Sequence, residues 1–585
     1  MSARFDDLRR GCALAFDPPD DVLVATCPEE VGPVLAALDA AVADGAWAYG
    51  YVAYEAAGGL DPHLVTRAPD PGGPPLVWFG LTRDAPRGVP VVAPSGAPAG
   101  RWTLREDAAG HARQVARVHE HIAAGLTYQT NLTVRVDGEL GPDADLAGLY
   151  ADLAHAQRGA YHALLDLGRH VVVSASPELF VRRTGDRLTL RPMKGTAARG
   201  RTSAEDDAIV ARLRADPKER AENVMIVDLL RNDVARVALD GTVRVGDLLA
   251  AERYETVWQL TTEITATARP GAGVAELMAA LFPCGLVTGA PKVSTMRLVA
   301  ELEDSPRGVY CGALGWVAPS GDLQFSVPIR TAVVERATGR AVYGTGSGVT
   351  WDSRAAAEYA ELRAKAGVLT HRRPPVGLLE TFGVHGGHAV HLERHLARMA
   401  DSAAYLGIDA GQVGPVVGKE LAGVADARVR VVLRPDGAVE VTLAPLPVDD
   451  GPPVRLAPPL LDDPVDAREW WPHHKTTDRE PYERRLAAAR RTWPEADDVI
   501  LVNTDGELTE TTIASLAIRL DGRWYTPPLG GGALPGVGRA VLVERGDLVE
   551  RVLYPADLDR AEELAVVSSL RGLRPAVAVG SAVSG

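Results

Sequence analysis

The sequence is poor in cysteine: its 585 residues include four, which are Cys12, Cys27, Cys284 and Cys311. They are scattered, with no Cys-x-x-Cys pair and no spacing that is typical of a zinc site. Four cysteines do not make a disulfide framework in a chain of this length. We therefore expect a protein of the reducing cytoplasm.

Long apolar runs and basic clusters are also absent. No stretch approaches the roughly 20 apolar residues of a membrane span, and the charged residues 1–20 do not read as a signal peptide. The net charge is −15, without a block of Lys or Arg. We expect neither a membrane nor a nucleic-acid partner. Any anionic substrate must then be held by local Arg and Lys side chains.

A charged and proline-broken segment, Thr370-His-Arg-Arg-Pro-Pro-Val376, interrupts the chain. Proline restricts its own backbone and that of the preceding residue, so the segment is typical of a linker. The length of the chain predicts more than one domain. We predict a first domain at 1–370, a linker at 371–376 and a second domain at 377–585.

Short apolar runs on both sides of this linker predict strands and helices in alternation. We predict a helix over Glu222–Arg231, where apolar residues recur three and four apart. The β-branched and apolar runs predict strands at Ala163–Leu165, Val171–Val173, Val429–Leu433 and Val499–Val502. The pattern indicates a multidomain α/β (α+β) fold.

Polar residues interrupt apolar segments at several points of the first part. Ser176-Pro-Glu-Leu-Phe180 ends a predicted strand with a carboxylate, and Lys194 precedes a glycine. Glu222 opens the predicted apolar helix, and Gly344-Thr-Gly-Ser-Gly348 is predicted to be a glycine-rich loop. Ser353 is predicted to cap a further helix. Taken one at a time, such patterns are also typical of solvated or structural residues.

Together and in this order, the segments closely resemble the chorismate-utilising enzymes, which include anthranilate, aminodeoxychorismate, isochorismate and salicylate synthases. The resemblance runs from about Gly125 to Leu369. It implies a large α/β fold with two stacked sheets and a magnesium-dependent site for chorismate. The matching motifs are Tyr128-Gln-Thr-Asn-Leu-Thr133, Ser176-Pro-Glu178, Lys194-Gly-Thr196, Met225–Asp233, Phe282-Pro283, Thr288–Lys292, Cys311-Gly312, Ile329-Arg-Thr331 and Gly346-Ser-Gly348.

The resemblance also assigns roles to residues. Glu222 and Glu361 are implied as Mg²⁺ ligands with Glu358 assisting, which suits a hard cation that prefers carboxylate oxygens and keeps waters. Glu178 is implied as the general acid for the leaving C4 hydroxyl. Arg330 is implied to meet a substrate carboxylate as a planar fork. Further substrate contacts are expected at Thr288, Lys292, Gly346, Ser347, Gly348 and Gln259.

Lys194 distinguishes subfamilies within this resemblance. Anthranilate, isochorismate and salicylate synthases typically carry Ala at this motif position, whereas aminodeoxychorismate synthases often carry Lys. The implied role is attack on ring C2, followed by entry of ammonia at C4, and the attacking amine must be uncharged. A structural lysine paired to a carboxylate is the alternative.

Two positions depart from the family pattern. Relatives often have His where this chain has Gln259, and an amide cannot carry a proton, so Gln259 is kept only as a substrate contact. Relatives also often have Gly-Asp where this chain has Gly125-Leu126-Thr127.

The ammonia needs a source outside this sequence. A glutamine amidotransferase requires a nucleophilic cysteine on a glycine-rich turn with His and Glu later in the chain, and none of the four cysteines has that context. We expect a separate glutamine amidotransferase subunit as partner, or free ammonia in vitro.

The second part carries its own set of motifs. They are Leu379-Glu-Thr381, His391–Arg398 with helical spacing, His474-Lys-Thr-Thr477, Asp505–Glu510, Thr526–Leu529 and Leu534-Pro-Gly-Val-Gly-Arg539. In this order they resemble the fold-type IV pyridoxal-phosphate (PLP) enzymes, which include branched-chain and D-amino-acid aminotransferases and aminodeoxychorismate lyase.

By that resemblance Lys475 carries the PLP covalently, Arg398 binds its phosphate and Glu510 pairs with the pyridinium nitrogen. Gly536, Val537 and Gly538 are implied to give backbone contacts to the phosphate. These are the parts that the cofactor needs: an amine, donors for the phosphate and an acid that keeps the ring an electron sink. Such enzymes usually dimerise, which implies a homodimer through this domain.

The two resemblances together imply synthesis of 4-aminobenzoate for folate. Chorismate is aminated to 4-amino-4-deoxychorismate, and a PLP-dependent lyase then eliminates pyruvate. The cofactor residues do not separate a lyase from an aminotransferase, so this step depends on the fusion. The alternatives are an anthranilate synthase component I with a PLP domain of other use, supply of aminodeoxychorismate to specialised metabolism, and a catalytically inactive scaffold that binds a glutaminase.

Overall fold

The computed structural model describes residues 2–96, 100–370, 376–447 and 451–580. The chain divides into two compact units, Met1–Ala198 with Val210–Arg373, and Arg199–Ile209 with Pro374–Gly585. Most of the predicted linker, 371–375, lies outside the described residues. The domain boundaries at 370 and 377 therefore stay a prediction.

The first unit is built mainly from antiparallel strands. In chain order they are β1 (Ala3–Asp7), β2 (Cys12–Phe16), β3 (Asp21–Ala25), β4 (Trp47–Val52), β5 (Val77–Thr82), β6 (Arg87–Val89), β7 (Arg101–Leu104), β8 (Gln129–Glu139), β9 (Tyr161–Asp166), β10 (His170–Ser176), β11 (Leu179–Thr184), β12 (Arg187–Arg191), β13 (Met193–Ala198), β14 (Arg244–Val245), β15 (Ala250–Arg253), β16 (Val257–Thr261), β17 (Ile264–Thr267), β18 (Gly289–Ala290), β19 (Ala313–Val317), β20 (Leu323–Ser326), β21 (Thr331–Glu335) and β22 (Arg340–Val349).

Helices connect these strands. They are α1 (Pro28–Ala43), α2 (Ala57–Leu60), α3 (Ala108–Ala123), α4 (Leu146–Gln157), α5 (Ser203–Ala215), α6 (Pro217–Ala235), α7 (Val274–Leu281), α8 (Lys292–Leu302) and α9 (Ala355–Ala366).

Among the described residues these strands form two large sheets and one small one. The first sheet has the order β18-β8-β22-β21-β10-β9-β1-β2-β6, with β7 also paired to β8, and the second has the order β14-β17-β12-β11-β20-β19-β4-β5-β3. The rings of Phe16 on β2 and Tyr49 on β4 pack with centroids 4.8 Å apart. This contact joins the two large sheets in one core, and the expected pair of stacked sheets is confirmed.

The second unit contains a small and a large sheet. Its strands are β23 (Leu378–His385), β24 (His388–Ala389), β25 (Ala427–Leu433), β26 (Val439–Ala444), β27 (Val454–Ala457), β28 (Asp498–Val502), β29 (Leu508–Thr511), β30 (Ser515–Leu520), β31 (Arg523–Thr526), β32 (Val549–Glu550), β33 (Glu563–Ser568) and β34 (Gly572–Ala578). Its helices are α10 (Leu392–Leu406), α11 (Val413–Glu420), α12 (Glu480–Thr492), α13 (Val537–Arg545) and α14 (Pro555–Leu558).

The small sheet has the order β24-β23-β25-β26, and the large one has the order β29-β28-β27-β34-β33-β30-β31-β32. Strand β27 runs parallel to β28 and β34, whereas β33 and β34 are antiparallel. The expected multidomain α/β architecture is confirmed. In the described part of the chain, no helix is long and apolar enough to cross a membrane.

The predicted strands and the helix over Glu222–Arg231 are confirmed, but three local expectations are wrong. Helix α6 begins at Pro217, so Glu222 lies inside it. Helix α9 begins after Arg354, and the Ser353 hydroxyl instead accepts a hydrogen bond from the Thr350 amide. The segment Gly344–Gly348 is not a loop but the inner part of β22, paired with β8.

Candidate functional site

The first unit contains a cavity of about 200 Å³ whose wall carries most of the predicted site residues. Strand ends, helix α6 and helix α9 contribute its charged side chains. The predicted residues in the wall are Glu178, Lys194, Glu222, Gln259, Arg330, Gly346, Gly348, Glu358 and Glu361. Residues separated by nearly two hundred positions thus reach one small space.

Glu178 lies in the two-residue connection between β10 and β11 and is 4% exposed. Its backbone amide donates to the Ser176 hydroxyl at 3.1 Å, which fixes the turn. Burial raises the pKa of the Glu178 carboxyl to about 8, although the nearby cations Lys194 and Lys365 oppose this shift. A carboxyl group that stays protonated at neutral pH can donate a proton to a leaving hydroxyl.

The glycines of β22 make room for the amine of Lys194. A Cβ atom added at Gly348 would lie 3.0 Å from Lys194 Nζ and 2.6 Å from Gln129 Nε2. A Cβ atom at Gly346 would lie 2.7 Å from the methyl carbon of Thr133. Glycine inside a strand often marks such a close approach. The glycine run therefore brings side chains of neighbouring strands to the cavity rather than forming an open loop.

The three carboxylates predicted for Mg²⁺ share this cavity but are not gathered into a tight cluster. Among the described residues, no group of three or more His, Cys, Asp or Glu side chains is spaced to hold a metal ion. Glu361 pairs with Lys365 at 2.6 Å, and Glu222 lies 3.8 Å from Lys218. Mg²⁺ usually takes one or two protein carboxylates and keeps several waters, so this loose set of acceptors fits the ion.

Arg330 occupies an unusual backbone conformation at the cavity. Its φ is +54°, in the left-handed region that non-glycine residues seldom adopt. Its guanidinium donates to the Lys365 carbonyl, which ties the loop before β21 to helix α9. Such conformations persist where the surrounding structure enforces them, commonly at functional sites. The constraint is consistent with a fixed direction for the guanidinium.

Three other predicted substrate contacts are not part of the cavity wall. The Thr288 hydroxyl donates to the carbonyls of Cys284 and Gly285. Lys292 forms a salt bridge with Asp233 at 3.1 Å. Ser347 is buried and, as a neighbour of Gly346 and Gly348 in a strand, projects to the opposite face of the sheet. Their role as substrate contacts stays a prediction.

Sequence reasoning missed several polar residues of this cavity, among them Lys218, Glu219 and Lys365. Lys365 lies four residues after Glu361, a helical spacing that could have revealed it, and burial lowers the pKa of its amine. Its amine also donates to the Gly346 carbonyl at 2.8 Å. Gln129 belongs to a quoted motif and is not part of the cavity wall, but its amide lies near the position of an added Cβ atom at Gly348.

The second unit contains a larger cavity of about 830 Å³. All of the residues predicted to bind PLP line it. They are Arg398, Lys475, Glu510, Gly536, Val537 and Gly538.

Lys475 stands beside β23, and its carbonyl accepts a hydrogen bond from the Leu379 amide at 2.9 Å. Burial lowers the pKa of its amine to about 8, and the nearby cations Arg398 and Arg479 act in the same direction. Glu380 and Glu510 oppose that shift. A lysine with a lowered pKa is a competent nucleophile and proton carrier near neutral pH.

Glu510 lies on β29 and is 4% exposed. One carboxyl oxygen accepts a hydrogen bond from the Tyr482 hydroxyl at 3.0 Å, and the other accepts from the Leu534 amide at 3.2 Å. Burial raises the pKa of this carboxyl to about 7. A buried acid in this position fits the partner that a pyridinium nitrogen requires.

Helix α13 begins at Val537, directly after Gly536. The first amides of a helix have no partner within it and attract anions. A Cβ atom at Gly538 would lie 2.7 Å from the Ser568 carbonyl carbon, so only glycine allows this approach of the helix to the end of β33. Arg398 lines the same wall. These donors fit a phosphate group.

Further arginines in the wall of the second cavity were not predicted. Arg428 and Arg430 project from β25, where Arg430 pairs in register with Thr381 of β23. Arg571, in the turn after β33, and Arg574, on β34, line the cavity as well. Arg428 and Arg430 alternate with buried valines in β25. This alternation is the one sequence signal that could have placed the two arginines on a single face of the sheet.

Comparison with known proteins assigns a family to each of the two parts of the chain. Residues 87–371 match the chorismate binding enzyme family, and residues 377–579 match the amino-transferase class IV family. The chain joins a chorismate binding enzyme domain to an amino-transferase class IV domain. Both resemblances expected from the motifs are confirmed.

Relatives of the chorismate binding domain carry two names. The chain is 38% identical to aminodeoxychorismate synthase component 1 of Bacillus subtilis over 257 residues, 44% of this chain and 54% of that protein. It is 41% identical to anthranilate synthase component 1 of Streptomyces coelicolor over 283 residues, 48% of this chain and 54% of that protein. The chain thus spans about half the length of these relatives, and their names do not separate the two reactions.

A solved structure agrees with the fold of this domain. Anthranilate synthase component I from Streptococcus pneumoniae aligns with a TM-score of 0.53 and 23% identity, covering 63% of this chain and 92% of that one. At this identity the likeness concerns the fold alone.

Proposed function

We propose that this chain converts chorismate to 4-aminobenzoate in two steps, one in each domain. The observation that carries the proposal is Lys194, whose amine reaches the same small cavity as the protonated acid Glu178. Anthranilate formation has no use for a nucleophilic lysine at this point. Amination at C4 by way of a covalent lysine adduct does.

In the first step, Lys194 Nζ attacks ring C2 while Glu178 protonates the C4 hydroxyl, which leaves as water. Ammonia then attacks C4, the double bonds shift back, and the bond from C2 to Lys194 breaks. Arg330 and Lys365 provide positive charge for the substrate carboxylates. When bound through Glu222 and Glu361, with Glu358 nearby, Mg²⁺ supplies charge neutralisation for a carboxylate.

In the second step, the aminated product is handled in the cavity of the class IV domain. PLP, when bound, supplies the electron sink. Lys475 removes the proton at C4 of the ring, the enolpyruvyl oxygen leaves C3, and the ring becomes aromatic. The enolpyruvate released gains a proton and becomes pyruvate.

The arginines of the second cavity support a lyase substrate. Aminodeoxychorismate carries one carboxylate on the ring and one on the enolpyruvyl group. Arg428 and Arg430 on β25 face the cavity together with Arg571 and Arg574. Such a wall suits a dianion better than the apolar side chain of a branched-chain amino acid.

We further propose that a glutamine amidotransferase subunit delivers the ammonia. The names of the component 1 relatives are consistent with a second component. The cysteines of this chain do not fit a glutaminase nucleophile. Cys284 and Cys311 are buried, and burial raises the pKa of both thiols, the latter to about 11. Glutamine alone should therefore not replace ammonium as nitrogen donor.

The test supplies purified protein with chorismate, Mg²⁺, PLP and ammonium and separates the products by chromatography. We expect 4-aminobenzoate and pyruvate from the unaltered chain. Lys475→Ala should accumulate aminodeoxychorismate, and Lys194→Ala should form neither aminodeoxychorismate nor 4-aminobenzoate. The exposed Lys419 provides a matched control, Lys419→Ala. A product of 2-aminobenzoate would instead establish the anthranilate reaction.

A further inference from the structure

A buried acid–imidazole pair lies behind the phosphate-binding wall of the second cavity. Glu380 on β23 is 2% exposed, and its two oxygens accept hydrogen bonds from Arg398 Nε at 2.8 Å and Arg398 Nη2 at 2.6 Å. Its Oε2 also meets His395 Nδ1 at 2.6 Å. One carboxylate thus holds two residues of α10 that are three positions apart.

The contacts of Arg398 leave a defined part of its guanidinium free. An arginine has five N–H groups. Two go to Glu380, and a third, on Nη1, goes to the Pro535 carbonyl at 2.8 Å. One N–H on each terminal nitrogen remains, which is the fork that matches two oxygens of a phosphate. Glu380 therefore decides how this fork is turned.

His395 continues the network to the opposite side. It is 1% exposed, and its ring packs on Phe382 with centroids 5.3 Å apart. Its Nε2 lies 2.7 Å from the Ser569 hydroxyl. Ser569 lines the cavity beside Gly538, at the start of α13. This hydrogen bond fixes the orientation of the Ser569 side chain at the cavity wall.

We propose that Glu380 and His395 are positioning residues for the phosphate of the cofactor, Glu380 through the Arg398 fork and His395 through the Ser569 hydroxyl. The inference rests on the proposed PLP role of this cavity. Burying a carboxylate is costly unless it is fully paired, and here the hydrogen bonds of His395 and Arg398 hold the pKa of Glu380 below its usual range despite its burial. The pair thus pre-orients two side chains, those of Arg398 and Ser569, that α13 alone does not supply.

The experiment compares PLP with pyridoxal, which lacks the phosphate. The cofactor is removed from the full chain, and the dissociation constant of each compound is measured from the absorbance of the bound form. The unaltered protein should bind PLP far more tightly than pyridoxal. Glu380→Gln should weaken PLP binding by about 10- to 100-fold, as expected for hydrogen bonds to charged groups, and affect pyridoxal binding much less. Glu440→Gln, an exposed carboxylate of the same sheet, is the matched control.

A second set of variants tests the route through Ser569. His395→Leu and Ser569→Ala should each lower the preference for PLP over pyridoxal. The double variant should lose no more of this preference than the more damaging of the two single variants. His395→Gln, whose amide can still form a hydrogen bond with the hydroxyl, should recover much of the preference. Additive losses would overturn the route.

Equal loss of PLP and pyridoxal binding in Glu380→Gln would mean a merely structural role and would overturn the proposal. An unchanged preference would overturn it as well. Either result leaves the proposed function intact if the unaltered chain still binds PLP. Failure of the unaltered chain to bind either compound contradicts the PLP function itself.

Discussion

Glu178 in the first cavity and Lys475 in the second are opposite kinds of group brought to similar acidity. Burial raises the pKa of the Glu178 carboxyl to about 8 and lowers that of the Lys475 amine to about 8. In both cases loss of water disfavours the charged form. The comparison shows that one physical cause yields an acid in one domain and a base in the other.

The charged neighbours of Glu178 and Lys475 act differently on the pKa shifts that burial causes. Around Glu178, the cations Lys194 and Lys365 work against the shift caused by burial. Around Lys475, the cations Arg398 and Arg479 work with it. Cations thus lie near both groups. Only at Glu178 do they oppose the pKa shift that burial causes.

The largest expected effect comes from neutralising the acid of the first cavity. Glu178→Gln should lower the rate of chorismate amination by roughly 10²- to 10⁴-fold, because an amide cannot protonate the leaving hydroxyl. Conversion of supplied aminodeoxychorismate to 4-aminobenzoate should be unchanged. Both rates are measured by product chromatography, with the exposed Glu120→Gln as control. A parallel loss of both activities would break the assignment of separate roles to the domains.

A smaller effect is expected from the cationic wall of the second cavity. Arg430→Gln should raise the KM for aminodeoxychorismate by about 10- to 100-fold, since a hydrogen bond between charged groups is lost. Amination of chorismate should not change. Arg434→Gln, at an exposed position just after β25, is the matched control. A normal KM with a lower kcat would show that Arg430 does not hold the substrate.

The pH dependence of amination should follow the acid. Because the raised pKa keeps Glu178 protonated up to about 8, its function persists below that pH and is lost above it. With the concentration of uncharged ammonia held constant, the ratio of the amination rates of the unaltered chain and Glu178→Gln should fall about tenfold per pH unit above this value, because both proteins depend equally on uncharged Lys194. The measurement compares their initial rates between pH 7 and 10. A ratio that stays constant over this range would exclude Glu178 as the acid.

The pH dependence of cofactor capture should run in the opposite direction. In protein freed of PLP, the Lys475 amine is charged below a pH of about 8 and reactive above it. The rate constant for PLP capture should therefore increase up to this pH and then level off. Stopped-flow absorbance measures it. A rate constant that keeps rising about tenfold per pH unit beyond pH 9 would contradict the lowered pKa of Lys475 and break the comparison with Glu178.

Much of this arrangement could be predicted from residue patterns. The motifs around Glu178, Lys194 and Glu361 predicted a shared site, and the structure lines one cavity with all three. Apolar runs predicted strands correctly at β9, β10, β25 and β28 because each run is bounded by polar residues or turns.

Other features could not be predicted because they depend on distant partners. A glycine run is typical of loops, yet the segment Gly344–Gly348 is a strand because β8 pairs with its whole length. Glu380 reads as one polar residue in a strand, and only the packing of α10 places Arg398 and His395 against it. Thr288 and Lys292 were expected at the substrate from the family resemblance. The ion pair between Lys292 and Asp233, 59 residues apart in the chain, could not be predicted from the sequence.

The glycines of β22 have a genetic consequence. The absence of a side chain is what matters at Gly344, Gly346 and Gly348. Added Cβ atoms would lie 2.3 Å, 2.7 Å and 2.6 Å from neighbouring atoms. Any codon change that replaces one of these glycines adds at least a Cβ atom. No conservative substitution therefore exists at Gly344 and Gly346, whose added Cβ atoms would meet the Tyr310 ring and the Leu132 carbonyl, whereas at Gly348 the close atoms are the ends of two flexible side chains. A change in the size of the accepted substrate would have to come from the opposite wall of the cavity.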